Sequence, residues 1–138
     1  MSVELKALYA AAGLVLIVLI VLLIVAGKKL PRKSKAKRIK VRWKNLQKLL
    51  RDPAAWPNAI EQADALLDKA LKRRSIKGSN MGERLVNAQK IFTDSDSVWA
   101  AHKLKAKLEQ NPKLRLAKGD VKRTLLSFGQ ALKDLGAL

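Results

Sequence analysis

Apolar residues in this chain first run together and then recur periodically. From Ala7 to Gly27, ALYAAAGLVLIVLIVLLIVAG, twenty-one residues pass without a charge. Wound as a helix at about 1.5 Å per residue, the run spans roughly 31 Å, which matches the roughly 30 Å hydrocarbon core of a bilayer. Hydrocarbon offers backbone N–H and C=O groups no partners, so a crossing segment has to be helical. A cleaved signal peptide would carry a shorter apolar stretch behind a basic start. The neutral N-terminal flank and the positive charge after the run favour a retained anchor over both that and a buried helix.

Beyond the run the apolar positions become periodic. Pro31 predicts a break and Ser34 an N-cap, after which Ile39, Trp43, Leu46 and Leu50 form a stripe at i, i+4, i+7 and i+11. Lys37, Lys40, Lys44, Lys48 and Arg51 fall on the opposite side, which makes this a basic amphipathic helix. Asp52-Pro53 ends it. Trp56-Pro57 opens a helix reaching Arg74, with Ile60, Ala63, Leu67, Ala70 and Leu71 on one face and Gly78 as its expected terminator.

Asn80 and Glu83 make a capping-box pattern ahead of Met81, Leu85, Ala88 and Phe92. The polar turn Asp94–Ser97 precedes Val98, Ala101, Leu104 and Leu108, a helix stopped near Asn111-Pro112. Val121, Leu125, Phe128, Leu132 and Leu135 give the last one, with Gly136 at its C-cap. No segment alternates as a strand would. The expected fold is all-α: an N-terminal transmembrane anchor over 1–27, a basic juxtamembrane segment and amphipathic helix over 28–51, and a four-helix bundle domain over 52–138.

Charge refines this layout. The formal net charge is +18, yet the stretch from Lys28 to Arg51 holds twelve bases and no acid. Residues 52–138 hold sixteen bases against ten acids, so most of the excess sits just after the apolar run. Short basic flanks stay on the cytoplasmic side, which places the N-terminus outside and the C-terminal domain in the cytoplasm of a single-pass membrane protein. Lys28, Lys29, Arg32, Lys33, Lys35, Lys37 and Arg38 are then the expected contacts to an anionic inner leaflet, each contributing about 1 kcal/mol within a Debye length of about 8 Å.

Candidate chemistry is sparse. Cysteine is absent, which removes disulfides, thiolate metal sites and cysteine nucleophiles. The single histidine, His102, would need a partner from the carboxylates Glu61, Asp64 and Asp68. Asp64 lies in line with Ile60, Leu67 and Leu71, where a carboxylate is costly unless paired. The expectation is a buried Asp64 hydrogen-bonded to a tryptophan, a histidine or a helix N-terminus, holding the helices in register. Phosphate-loop, nucleophile-elbow and zinc-helix motifs are missing, so no catalytic, cofactor-binding or metal-binding residue is assigned and no small-molecule substrate is identified.

The runs AIEQADALLDKAL, MGERL, SVWAAHKLKAKLEQNP and FGQALKDLG carry a resemblance. Over about residues 56–136 the chain resembles a group of uncharacterised small bacterial membrane-anchored helical proteins, whose helix after the tryptophan reads W-x-x-H-K-x-R-N-x-x-A-H. That pattern is similar to HEPN domains, helical bundles often active as ribonucleases through an R-x(4-6)-H motif. Here Lys105 stands at the arginine position, Ala106 at the asparagine and Gln110 at the histidine. Glutamine carries no proton between groups, so the resemblance implies a bundle that binds or pairs without cutting.

The expected function is a non-catalytic, membrane-anchored binding or scaffold module, with a protein partner or a second copy of the chain as its ligand. The alternative is a membrane-tethered RNA-binding protein using Lys103, Lys105, Lys107, Lys113, Arg115, Lys118, Lys122 and Arg123.

Overall fold

The computed structural model describes residues 2–138, with side chains described for 2–25 and 36–138. It is built from helices: α1 (Val3–Lys48), α2 (Trp56–Arg73), α3 (Met81–Asn87), α4 (Ser95–Gln110) and α5 (Lys118–Asp134), with single 3-10 turns at Leu49–Arg51 and Pro53–Ala55. No strand forms among the described residues. The chain divides into two units, Met1–Lys35 and Ala36–Leu138.

In the first unit, Val3–Val25 is long and apolar enough to cross a membrane, and none of it is buried. Leu14 through Val25 stand largely exposed as one apolar surface. An aqueous protein does not leave so much leucine, isoleucine and valine uncovered. Helix α1 runs on through Pro31 and Ser34, so the break and the N-cap expected there do not form; the proline costs the helix one backbone hydrogen bond and does not end it here. The side chains of the expected lipid contacts Lys28, Lys29, Arg32, Lys33 and Lys35 lie outside the described residues. Lys37 and Arg38 are exposed.

The second unit has its own core, in which Phe128, Leu46, Ile60, Leu67, Leu71, Leu132 and Val121 are the largest fully buried side chains. Helices α2, α4 and α5 pack on one another, and α3 packs on α2. Ile39 and Leu46 of α1 are buried in that core, and Trp43 and Leu50 are packed against it. The stripe that an amphipathic helix could have laid on lipid is therefore covered by protein, while Lys37, Lys40, Lys44 and Lys48 stay exposed. Residues 36–51 belong with the helices that follow them.

The Trp43 contact is unusually close. A Cβ added at Gly129 of α5 would sit 2.8 Å from Trp43 Cζ2, so the glycine makes the notch that receives the indole.

Local signals explain the element ends. Trp56 starts α2 with its indole Nε1 donating to Leu50 O at 3.0 Å. Asn80 Oδ1 accepts from Glu83 N at 2.9 Å, and Glu83 Oε2 accepts from Ser79 N at 2.8 Å, one residue before the usual capping-box partner. Helix α3 ends at Asn87, earlier than the Met81 to Phe92 spacing predicts; turns carry Ala88 and Phe92 into the core instead. Asp94 caps α4 by accepting from Ser97 N at 3.1 Å.

Helix α5 closes with Gly136 at φ +71, where Ala137 N donates to Leu132 O and Gly136 N to Lys133 O, a Schellman motif. Helix α2 closes the same way, but the left-handed position is Ser75 at φ +59, so Gly78 is not its terminator. Gly78 instead admits Arg84, whose Cγ would lie 2.8 Å from an added Cβ.

Candidate functional site

The fold withdraws a few polar side chains from water. Asp64 on α2 is only 3% exposed. Its Oδ1 lies 2.8 Å from His102 Nδ1 on α4, and its Oδ2 lies 3.6 Å from Lys105 Nζ one helical turn further on. Lys105 also pairs with Glu109. Hydrogen bonding from Glu109 raises the Lys105 pKa against the opposing effect of burial, and the charge of Asp64 adds to the rise. Both oxygens of Asp64 are thus engaged by α4, which meets the expectation that this carboxylate is paired and ties two helices together.

His102 is flanked by Trp99, their ring centroids 5.8 Å apart, and Lys103 Nζ lies 5.9 Å from the Trp99 ring centroid. His102 Nδ1 thus has a buried carboxylate as its hydrogen-bond partner, on the helix opposite its own. No cluster of three or more His, Cys, Asp and Glu with metal-binding geometry forms among the described residues.

A second polar centre joins α3 to α2. Arg84 on α3 is 8% exposed, donates from Nε to Asp68 Oδ1 at 2.7 Å and from Nη2 to Asp68 Oδ2 at 3.2 Å, and gives Nη1 to Gly78 O at 2.8 Å. Lys72 adds a 3.3 Å ion pair to the same carboxylate. Burial alone would raise the Asp68 pKa; the Arg84 hydrogen bonds and Lys72 outweigh it and hold the group below its ordinary value. The only hint in the sequence is that Arg84 adjoins Leu85, a core position of the α3 stripe. Asp134 makes a third tie, accepting from Thr93 N at 2.8 Å and Thr93 Oγ1 at 2.9 Å.

The eight bases set aside for nucleic acid do not form one array. Lys105 is neutralised by Asp64 and Glu109, and Arg123 pairs with Asp120. Lys103 lies over Trp99. Lys107, Lys113, Arg115, Lys118 and Lys122 are exposed, distributed over α4, the connecting segment and α5.

Surface grooves open among the described residues of this unit. One of about 420 Å³ lies between α4 and α5, its lining including Leu104, Leu114, Leu116, Arg115, Asp120 and Arg123. One of about 340 Å³ lies between α3 and α4, lined by Leu85, Phe92, Val98 and Trp99. Another, of about 320 Å³, lies between α1 and α2 and is lined by Arg42, Asn45, Gln62, Ala65, Leu66 and Lys69. No family model, curated protein or solved structure matches the chain.

Proposed function

We propose that this protein is a single-pass membrane anchor carrying a cytoplasmic helical bundle that binds another macromolecule and does not catalyse a reaction. The observation that carries the reading is a division of labour along the chain. An apolar helix with no buried residue precedes a unit that has its own core and satisfied interior polar groups.

The buried pairing of Asp64 accords with this reading. Both oxygens of Asp64 are bound, and its partner Lys105 is shared with Glu109, so these groups are committed to joining α2 and α4. Charge after the apolar run supports the orientation, with residues 36–138 on the cytoplasmic side and the juxtamembrane bases at an anionic leaflet. A degenerate HEPN-like bundle accords with the helical class and with Gln110 in place of the motif histidine.

Photo-crosslinking in cells tests the binding role. A crosslinker at Lys107 or Arg115 is expected to trap one defined protein adduct in the membrane fraction. Adducts confined to RNA would replace this reading with the tethered RNA-binding one, and the absence of adducts from a set of positions covering the exposed faces of α2, α4 and α5 would end it.

A further inference from the structure

The groove between α1 and α2 differs from the α3–α4 and α4–α5 grooves in its chemistry. Its lining holds two cations, Arg42 and Lys69, two amides, Asn45 and Gln62, and no carboxylate. Arg42 and Asn45 are three apart on α1, and Gln62, Ala65, Leu66 and Lys69 are at i, i+3, i+4 and i+7 on α2, so two helix faces present these groups to one space. Neither Arg42 nor Lys69 makes an ion pair among the described residues. Glu61, next to Gln62, and Asp68, next to Lys69, do not line the groove, and Asp68 is taken by Arg84 and Lys72. Gln62 donates one amide hydrogen to Asn58 Oδ1 at 3.2 Å and retains another.

Two cations lining one groove, with no acid among them, give it a potential that draws an anion. An oxyanion with several acceptor oxygens suits a planar guanidinium fork, an ammonium and two amide donors. At about 320 Å³ the groove exceeds the needs of a bare phosphate, and Ala65 and Leu66 give an apolar wall to whatever carbon the phosphate carries.

We propose that this groove binds a phosphate group, with Arg42 and Lys69 supplying charge and Asn45 and Gln62 supplying hydrogen bonds. Such a group can come from a phosphomonoester lipid headgroup or from free phosphate. The lipid source rests on the membrane anchoring proposed above, whereas the phosphate chemistry does not.

The test uses the full chain. In an uncharged detergent, inorganic phosphate replaces chloride at constant ionic strength while thermal melting is followed; in a second arm the chain is placed in nanodiscs with or without phosphatidic acid. Phosphate in at least one form is expected to raise the melting temperature. The double variant Arg42→Gln/Lys69→Gln should need at least about tenfold more phosphate for the same shift, and the control Lys113→Gln/Lys118→Gln should respond as the parent does. A response to phosphatidic acid alone identifies the headgroup as the source, and a response to the inorganic ion in detergent identifies free phosphate. If neither form shifts melting, or if Arg42→Gln/Lys69→Gln responds like the parent, the site is overturned. Because the detergent arm is independent of topology, its failure is distinguishable from failure of the anchor.

Discussion

His102 Nδ1 and Asp64 Oδ1 are 2.8 Å apart across the interface between α4 and α2, thirty-eight residues apart in the chain. A carboxylate this buried is tolerated because α4 supplies partners for both of its oxygens. His102→Phe would leave Asp64 with Lys105 alone and should cost about 2–3 kcal/mol, read as a fall in melting temperature of the detergent-solubilised chain. Asp64→Leu combined with His102→Phe should recover part of that loss. Single and double variants that melt with the parent would remove the register role.

Gly129 and Trp43 allow a test of how α1 joins the second unit. Gly129→Ala brings a methyl group to 2.8 Å from the indole and should cost about 1–3 kcal/mol by overpacking. Trp43→Leu in the same chain vacates the space and should return part of the loss. Additive effects of the two substitutions would mean that they do not touch.

Ser75 occupies a left-handed backbone position that costs a residue with a Cβ about 1–2 kcal/mol. Ser75→Gly removes that cost but loosens the unfolded chain, for a net gain of about 0.5 kcal/mol and a small rise in melting temperature. A lower melting temperature would contradict the assignment of Ser75 as the α2 terminator.

Acid should weaken the second unit through Asp68 and Asp134. Burial raises both pKa values, but Arg84 and Lys72 together outweigh it at Asp68, and Thr93 and Gln130 together at Asp134, leaving both below the ordinary 3.8. Between the folded and unfolded values the unfolded chain binds more protons, so stability rises with pH there and is lost as pH falls below about 3.8. Asp68→Asn and Asp134→Asn should be less stable at neutral pH and show a flatter decline in acid. An unchanged acid limb in both would contradict these pairings.

Much of this arrangement is legible in the sequence because its signals are local. The apolar run, the stripe through Val121 and Leu135, the Asn80 cap and the glycine at 136 depend on neighbours within a turn or two. Asp64 also betrays itself, since a carboxylate in line with Ile60 and Leu67 demands a partner. Which partner it takes depends on how α2 and α4 face one another, and periodicity along each helix leaves that angle free. Arg84 with Asp68, Trp43 with Gly129, and the bringing of Arg42 and Lys69 to one groove are all relations between elements. Ser75 was hidden for another reason: glycine is the usual sign of a left-handed cap, and Gly78 nearby drew that inference.

In the proposed topology the apolar helix crosses the membrane once and leaves residues 36–138 in the cytoplasm. The chain has no cysteine, so Ser2→Cys and Lys113→Cys each introduce a single thiol. Labelling intact cells with a membrane-impermeant maleimide should modify Ser2→Cys at once and Lys113→Cys only after permeabilisation. Labelling of Lys113→Cys in intact cells, or recovery of the full-length chain in the soluble fraction without detergent, would contradict it.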